Sequence, residues 1–411
     1  MSTTATITVE PVRTRRDYDA FITLPWQVPC DRPMVRPMRE FERHLFDRGR
    51  RFRRRFSLTA YLDRLLLGPE NPFYEHGDLE MFLARAGDRP IARIAAIQNR
   101  AHNEHNHDTV GFFGFYQCID PGPAGRAATS ALVRAAGDWL RARGLTTLRG
   151  PFNPTINDEC GIWTDGETYP SFLMPSNPRY YADHLRAAGL EPVKTLRVYR
   201  LDLVNIPRDA WARWERIAAR IQRSTGVILR GANFKDLDRE VQSFLAIYNA
   251  AEALANGLLF APMSFAELRS MAELFRSLIN PELIRAAEVV EDGTRRVVGA
   301  AITVPDLNEI LRHTGGRLFH PRLIWSLLRM KLGRPTDRVR IAFLGVLPEY
   351  RHTPVSVLLL FDSIRTAIAY GAKEAEGSWI AEDNLAMVRP LEEHRFKLTD
   401  RYVIFERSLD P

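Results

Sequence analysis

The feature that most restricts the fold of this chain is a strand, a polar turn and a helix read without a break over residues 340–371. Ile341 to Leu347 is a short apolar run of strand type. Pro348 and the polar Glu349-Tyr350-Arg351-His352 interrupt it. Thr353 then offers an N-cap, and Pro354 a first helical residue, where a missing N–H costs nothing. Val355, Leu358, Leu359, Asp362 and Thr366 follow at three-to-four spacing, with Gly371 as the stop. Such a junction aims free backbone N–H groups and a helix N-terminus at one point. That is an anion site, suited to a pyrophosphate.

The surrounding pattern is read twice. In the second half, a strand near 226–229, two helices over 235–279 and a hairpin near 286–304 precede the strand at 341. A strand at 379 runs into a helix start at Asn384, residues 391–396 end that helix, and 401–407 alternate as a last strand. The first half gives a strand at 7–12, a helix at 17–24, then strands at 79–86 and 91–98 about the turn Gly87-Asp88-Arg89-Pro90. A strand at 109–118, a helix at 127–143, a strand at 145–151, a helix at 177–188 and a closing strand or strand pair at 193–203 complete it. A period of roughly 200 residues means tandem domains, not a solenoid. The expected division is 1–204, a linker helix over 205–225, and 226–411. Each half is of the mixed α+β class, a largely antiparallel sheet flanked by helices.

Composition narrows the setting. No run approaches the ~20 apolar residues of a membrane-spanning helix. The start, Met-Ser-Thr-Thr-Ala-Thr, lacks the basic and apolar regions of a signal peptide. Cys30, Cys118 and Cys160 are far apart, with neither metal-ligand nor disulfide spacing, and read as reduced thiols of a cytoplasmic protein. No bound metal is expected. The formal charge of +7 is carried mainly by Arg and favours acidic partners. A basic run over 36–67, with Arg50, Arg51 and Arg53 to Arg55 interleaved with Phe and Leu, suits a solvated helix face or an anionic membrane surface at the periphery of the inner membrane. No nucleic-acid module surrounds it.

Val346-Leu347-Pro348-Glu349-Tyr350-Arg351 resembles the approach to motif A of the GNAT acyltransferases, (Gln/Arg)-x-x-Gly-x-(Gly/Ala). Arg351 fits its first position, while Pro354 and Ser356 replace its two small residues. The acidic-Asn turn and the helix reading Leu391-Glu392-Glu393-His394-Arg395-Phe396 resemble the C-terminal half of the same fold, with Arg395 in place of the usual Gly. Asn71-Pro72-Phe73-Tyr74, Arg149-Gly150-Pro151-Phe152-Asn153-Pro154, Asn157-Asp158-Glu159-Cys160-Gly161 and Val304-Pro305-Asp306-Leu307-Asn308 are similar to a family of doubled bacterial GNAT proteins, some of them ceramide synthase-like. The resemblance implies two GNAT folds in tandem, acyl-CoA as donor, and an amine acceptor, best a long-chain sphingoid base giving (dihydro)ceramide. A GNAT acetyltransferase for a small amine or amino acid, or a non-catalytic acyl-CoA or lipid sensor, are the other readings.

On that resemblance the second half holds the cofactor. Arg351, His352 and the amides of Thr353, Val355 and Ser356 would hold the pyrophosphate, and the backbone of Leu344 to Val346 the pantetheine, with Asn384 at the next helix start. The first half has Asp120-Pro121-Gly122-Pro123-Ala124-Gly125-Arg126 at the matching place, where two prolines and an acid weaken an anion cradle. Amide formation needs a base for the ammonium and a proton source for the leaving thiolate. Tyr402 is placed for the acid, or is a core Tyr on a strand. Glu382 and Asp383 are either base or helix cap. His105, in the polar loop 99–108, is either exposed loop or a group for acceptor binding or proton transfer.

Overall fold

The computed structural model describes residues 6–37, 42, 43, 45, 46, 71–255, 260–276, 279–315, 317, 320–331 and 335–410. Most of the basic 36–67 run therefore lies outside the described residues. Packing divides the chain into two compact units, residues 1–196 with 310–323 and 400–411, and residues 197–309 with 324–399.

The first unit contains β1 (Ile7–Pro11), α1 (Arg15–Thr23), β2 (Gly77–Ala86), β3 (Arg89–Asn99), α2 (Arg100–Asn106), β4 (Val110–Cys118) and α3 (Pro123–Arg141). It continues through β5 (Thr147–Gly150), β6 (Phe152–Asn153), β7 (Glu159–Cys160), β8 (Ile162–Asp165) and α4 (Tyr181–Ala187). Thr14 and Asp17 form a reciprocal capping box that starts α1. Gly87, at φ 59°, supplies the left-handed residue of the two-residue turn joining β2 to β3. Along α3, Ala128, Leu132, Val133, Ala136 and Leu140 form the buried stripe that lies on the sheet. β1 to β5 are neighbours in sequence order, with β4 and β5 parallel.

The second unit holds α5 (Arg208–Thr225), β10 (Ile228–Gly231), α6 (Leu237–Ala255), α7 (Phe265–Phe275), β11 (Ile284–Glu291) and β12 (Thr294–Pro305). Between β12 and β13 (Arg338–Val346) the chain forms α8 (Asn308–Leu311) and α9 (Pro321–Lys331), of which residues 310–323 group with the first unit. Then come α10 (Val355–Tyr370), β14 (Glu374–Ala381) and α11 (Leu385–Glu393). The expected linker at 205–225 is instead an integral helix of this unit. Ala218 and Ile221 of α5 are buried with Val298, Phe343 and Leu358, and Trp211 lies 5.1 Å from Phe361 of α10. An amphipathic helix with that much apolar surface stays packed rather than spanning solvent.

The closing strands are exchanged. β15 (Lys397–Ser408), at the C-terminal end of the chain, completes the first unit. Its residues Phe405 to Ser408 pair antiparallel with β5, and Arg401 to Val403 pair with β8. Residues 197–202 of β9 (Glu191–Asp202) complete the second unit, whose order is β9-β14-β13-β12-β11-β10. Each half thus gives its last strand to the other half's sheet, so neither unit is a continuous segment.

Two local expectations change. The polar stretch at 99–108 is a short helix, α2, because the Asn99 side chain caps it by accepting from the His102 amide at 3.1 Å. Helix α10 begins at Val355, with Pro354 as an N-cap that makes no side-chain bond. Thr353 does not cap it, since its hydroxyl donates back to the Tyr350 carbonyl at 2.5 Å.

Candidate active site

In the second unit, β13 and β14 pair in parallel for only four residues, Arg338 to Ile341 against Glu374 to Gly377. Both strands run on, to Val346 and Ala381, without that ladder. The opposite edge of β13 stays fixed, with Leu344 opposite Ala301 and Val346 opposite Gly299 on β12. Phe343 to Val346 therefore have one paired edge and one parted edge. Backbone N–H and C=O groups on a parted edge suit an extended ligand that carries its own amides.

The turn that follows is pinned. The Leu347 amide donates to the Val298 carbonyl at 2.8 Å, Tyr350 donates to Glu291 at 2.8 Å, and Arg296 pairs with Glu349 at 2.7 Å. Arg351 is half-buried and donates through Nη2 to the Ala250 carbonyl of α6 at 2.8 Å, which fixes its guanidinium. His352 is exposed. The Thr353 amide is already used by the Tyr350 carbonyl at 3.1 Å, so it does not belong to the cradle. Helix geometry leaves the amides of Val355, Ser356 and Val357 in the first turn of α10 without an intrahelical acceptor. These three N–H groups and Arg351 are the anion-binding set that the residues present can form.

A cluster of polar side chains stands on β9, β14 and α11. Arg197 pairs with Glu382 and donates to the Tyr199 hydroxyl at 3.2 Å, and Tyr199 donates to Glu392 at 2.8 Å. Glu382 follows directly on the parted end of β14 and is exposed. Desolvation raises the Tyr199 pKa; Glu392 adds to this and Arg197 opposes it, so the phenol keeps its proton at neutral pH. Asn384 is the N-cap residue of α11 without a side-chain capping bond.

Beside the closed part of the same strand pair lies a buried ionic network. Arg200 donates to Glu376 at 2.9 Å, Ser378 donates to the same carboxylate at 2.9 Å, and Arg340 donates to Ser378 at 2.9 Å. Arg338 bonds Glu374 at 2.7 Å and lies 3.4 Å from the fully buried Asp306, which also accepts from the Asn308 amide. Burial pushes the Asp306 carboxyl up to about 7 against the pull of Arg338. Sequence reading missed Arg200, Arg340, Glu376 and Ser378. Arginines alternating with apolar residues on β13 look like a solvated face, and only the packing shows them buried.

The remaining expected residues fall in the first unit. Tyr402 is fully buried on β15, its hydroxyl donating to the Pro175 carbonyl at 3.2 Å. Because the closing strands are exchanged, the strand tyrosine packed in the unit with the parted strands is Tyr199, on the segment that the internal repeat matches to 402–405. His105 is an exposed residue of α2, whereas its neighbour His102 is buried 3.2 Å from Asp108 and edge-on to Phe112. Among the described residues, no group of three or more His, Cys, Asp or Glu side chains is arranged to hold a metal ion.

No family model matches the chain. It is 29% identical over 420 aligned positions, 99% of both chains, to a protein of Caulobacter vibrioides (strain NA1000 / CB15N) named bacterial ceramide synthase. It is 27% identical over 354 positions to Protein YghO of Escherichia coli (strain K12), covering 84% of this chain and 85% of that one. Among solved structures, a tandem GNAT protein from the clavulanic acid biosynthesis pathway superposes with a TM-score of 0.51, at 13% identity and 99% coverage of each chain. A GCN5-related glucosamine N-acetyltransferase region of a fungal multi-domain GH3 β-N-acetylglucosaminidase gives 0.54 at 14% identity, over 98% of this chain and 38% of that one.

Proposed function

We propose, for a chain of doubled GNAT fold that is similar along its whole length to a bacterial ceramide synthase, that it transfers an acyl group from acyl-CoA to the nitrogen of a long-chain amine such as a sphingoid base. The observation that carries the reading is the parting of β13 from β14 beside the Arg351 turn and the first turn of α10. Acyl-CoA has the complementary chemistry. Its pantetheine amides fit the parted edge of Leu344 to Val346, and its pyrophosphate fits Arg351 and the Val355, Ser356 and Val357 amides, with His352 beside them.

The reaction requires the amine nitrogen to attack the thioester carbonyl carbon, forming the C–N bond as the C–S bond breaks. One ammonium proton must leave before attack, and the nascent amide nitrogen loses a second. We assign the first to Glu382, which is exposed at the parted end of β14, directly or through water. Tyr199, as buried as Tyr402 but with its hydroxyl in the Arg197, Glu382 and Glu392 cluster, gives its proton to the leaving thiolate and is restored by the second proton from the nitrogen through that cluster; the base and acid roles are thus on one cluster. The fully buried Asp306 instead positions Arg338.

The test incubates the protein with palmitoyl-CoA or acetyl-CoA, with and without sphinganine, and follows free CoA and amide by mass spectrometry. N-acylsphinganine formed with the long donor is the expected result. CoA release indifferent to sphinganine, with either donor, would remove this acceptor.

A further inference from the structure

The helix α9 (Pro321–Lys331) is apolar on its outside. Ile324, Trp325 and Leu328 are 57%, 60% and 47% exposed, while Leu323 on the opposite side is buried. At about 100° per residue, Ile324, Leu328, Pro321, Trp325 and Arg329 follow one another around a single exposed arc, with Arg322 beside Arg329 at its edge. A helix on the surface of a water-soluble fold normally presents the reverse pattern. Three large apolar side chains side by side on one helix face mark a contact surface rather than scattered exposure.

The charges on this helix name its partner. Arg322 and Arg329 are exposed on it, and between Glu309 and Asp337 the sequence has no Asp or Glu. A second copy of the helix would set cations against cations, which opposes self-association through this face. An anionic lipid surface offers both the phosphates that match the cations and the hydrocarbon that matches Trp325, Ile324 and Leu328.

We infer that α9 is a membrane-docking helix that lies in the headgroup region of anionic lipid, with Ile324, Trp325 and Leu328 inserted and Arg322 and Arg329 on phosphates. This deepens the proposed function, because a long-chain amine and a long-chain acyl donor both partition into lipid. It does not need that reaction for its test, since docking is measured without substrate. The basic run at 36–67 is not required for it.

The experiment is cosedimentation of the full chain with vesicles of phosphatidylglycerol and phosphatidylcholine, and with phosphatidylcholine alone. The wild type should sediment with the anionic vesicles. Replacing Ile324→Glu, Trp325→Glu and Leu328→Glu together should weaken this by about tenfold or more, and Arg322→Glu with Arg329→Glu should abolish the preference for anionic over neutral lipid. Quenching of tryptophan fluorescence by lipids brominated on the acyl chain should fall in Trp325→Phe, a change that leaves the fold and most of the apolar face in place. A wild type that stays in solution, or a triple variant that sediments equally, overturns the inference. So does a concentration-dependent dimer dissolved by the triple change in the absence of lipid binding, which would assign the face to a second copy. Vesicle binding with no amide formation would sink the reaction and leave the docking helix standing; amide formation by a protein blind to vesicles would do the opposite.

Discussion

The two units carry the same pair of parallel strands and treat the gap between them in opposite ways. In the first unit β4 and β5 pair only from Val110 to Phe112 against Thr147 to Arg149, although β4 runs on to Cys118. Its own chain then fills the gap. The Phe152 carbonyl comes in where a Cβ on Gly114 would stand, and the Asn153 side chain accepts from the Phe115 amide at 2.6 Å. Asn153 is held in turn by its bond to Glu159 at 3.2 Å, and Asp158 accepts from Thr155, so the Asn153–Glu159 stretch seals its own unit. At the start of α3, Asp120 accepts from the Gly122 amide at 2.6 Å and Pro123 has no N–H to give. Among the described residues of the second unit, no backbone bond from a following segment to β13 beyond Ile341 matches the Asn153–Phe115 bond, and the carboxylate in its turn, Glu349, pairs with Arg296.

Six substitutions, in four tests, break or sharpen the contrast. Gly114→Ala should have the largest effect, since the new Cβ collides with the Phe152 carbonyl and a backbone cannot yield cheaply. About 2–4 kcal/mol of stability should be lost, read as a lower midpoint in chemical denaturation. Arg351→Glu should come next, weakening CoA binding by roughly 10- to 100-fold in calorimetry, the range of a lost charge-assisted bond, while Arg126→Glu at the first unit's helix start should leave it unchanged. Equal losses from both changes would show the two units to be equivalent and end the comparison.

Tyr199→Phe should lower kcat by about tenfold or more while KM for acyl-CoA holds, as expected for a proton donor. Tyr402→Phe should leave kcat unchanged and cost about 1 kcal/mol of stability through the lost Pro175 bond. The reverse ranking would return the acid to Tyr402. At Asp306 the effect is a pH dependence. Its folded pKa, about 7, lies above the unfolded carboxylate value, so its contribution is fully present below about 4 and is lost as pH rises through 7. Relative to wild type, Asp306→Asn should therefore gain stability between pH 4 and 7, and a pH-independent difference would show that Asp306 is ionised throughout.

Much of this was legible in the residues, and the illegible parts share a cause. The strand, turn and helix over 340–371 were visible because a local apolar run, a polar break and a terminal Gly371 specify them from nearby positions alone. Gly371 does sit at φ 97° as the helix stop. The start of α10 was misplaced by one residue: the Thr353 hydroxyl turns back to donate to the Tyr350 carbonyl, and Pro354 takes the N-cap position. The exchange of β9 and β15 was invisible for another reason. Arg197 to Leu203 and Tyr402 to Phe405 are both apolar alternating runs that follow a helix, and neither pattern says which sheet it completes. That Tyr402 packs in the first unit and Tyr199 in the second was hidden by the same ambiguity. The buried network of Arg200, Arg338, Arg340 and Glu376 depends on partners distant in sequence, such as the 176 positions between Arg200 and Glu376.

The strand exchange also bears on how the protein is made. A polypeptide emerges from its N-terminus, and ordinarily a leading domain folds before the trailing one is complete. Here β5, finished by residue 150, must wait for residues 405–408 before its free edge is paired. The first unit therefore stays with an open sheet edge until nearly the whole chain has been synthesised, an interval in which that edge is exposed to mispairing. The segment 197–202 is available early, and its retention by the second unit requires that the first unit not claim it in the meantime. Ribosome-bound chains that end before β15 would be held in a state the finished protein never visits, and cleaving the chain between its halves would leave each fragment with the other's last strand.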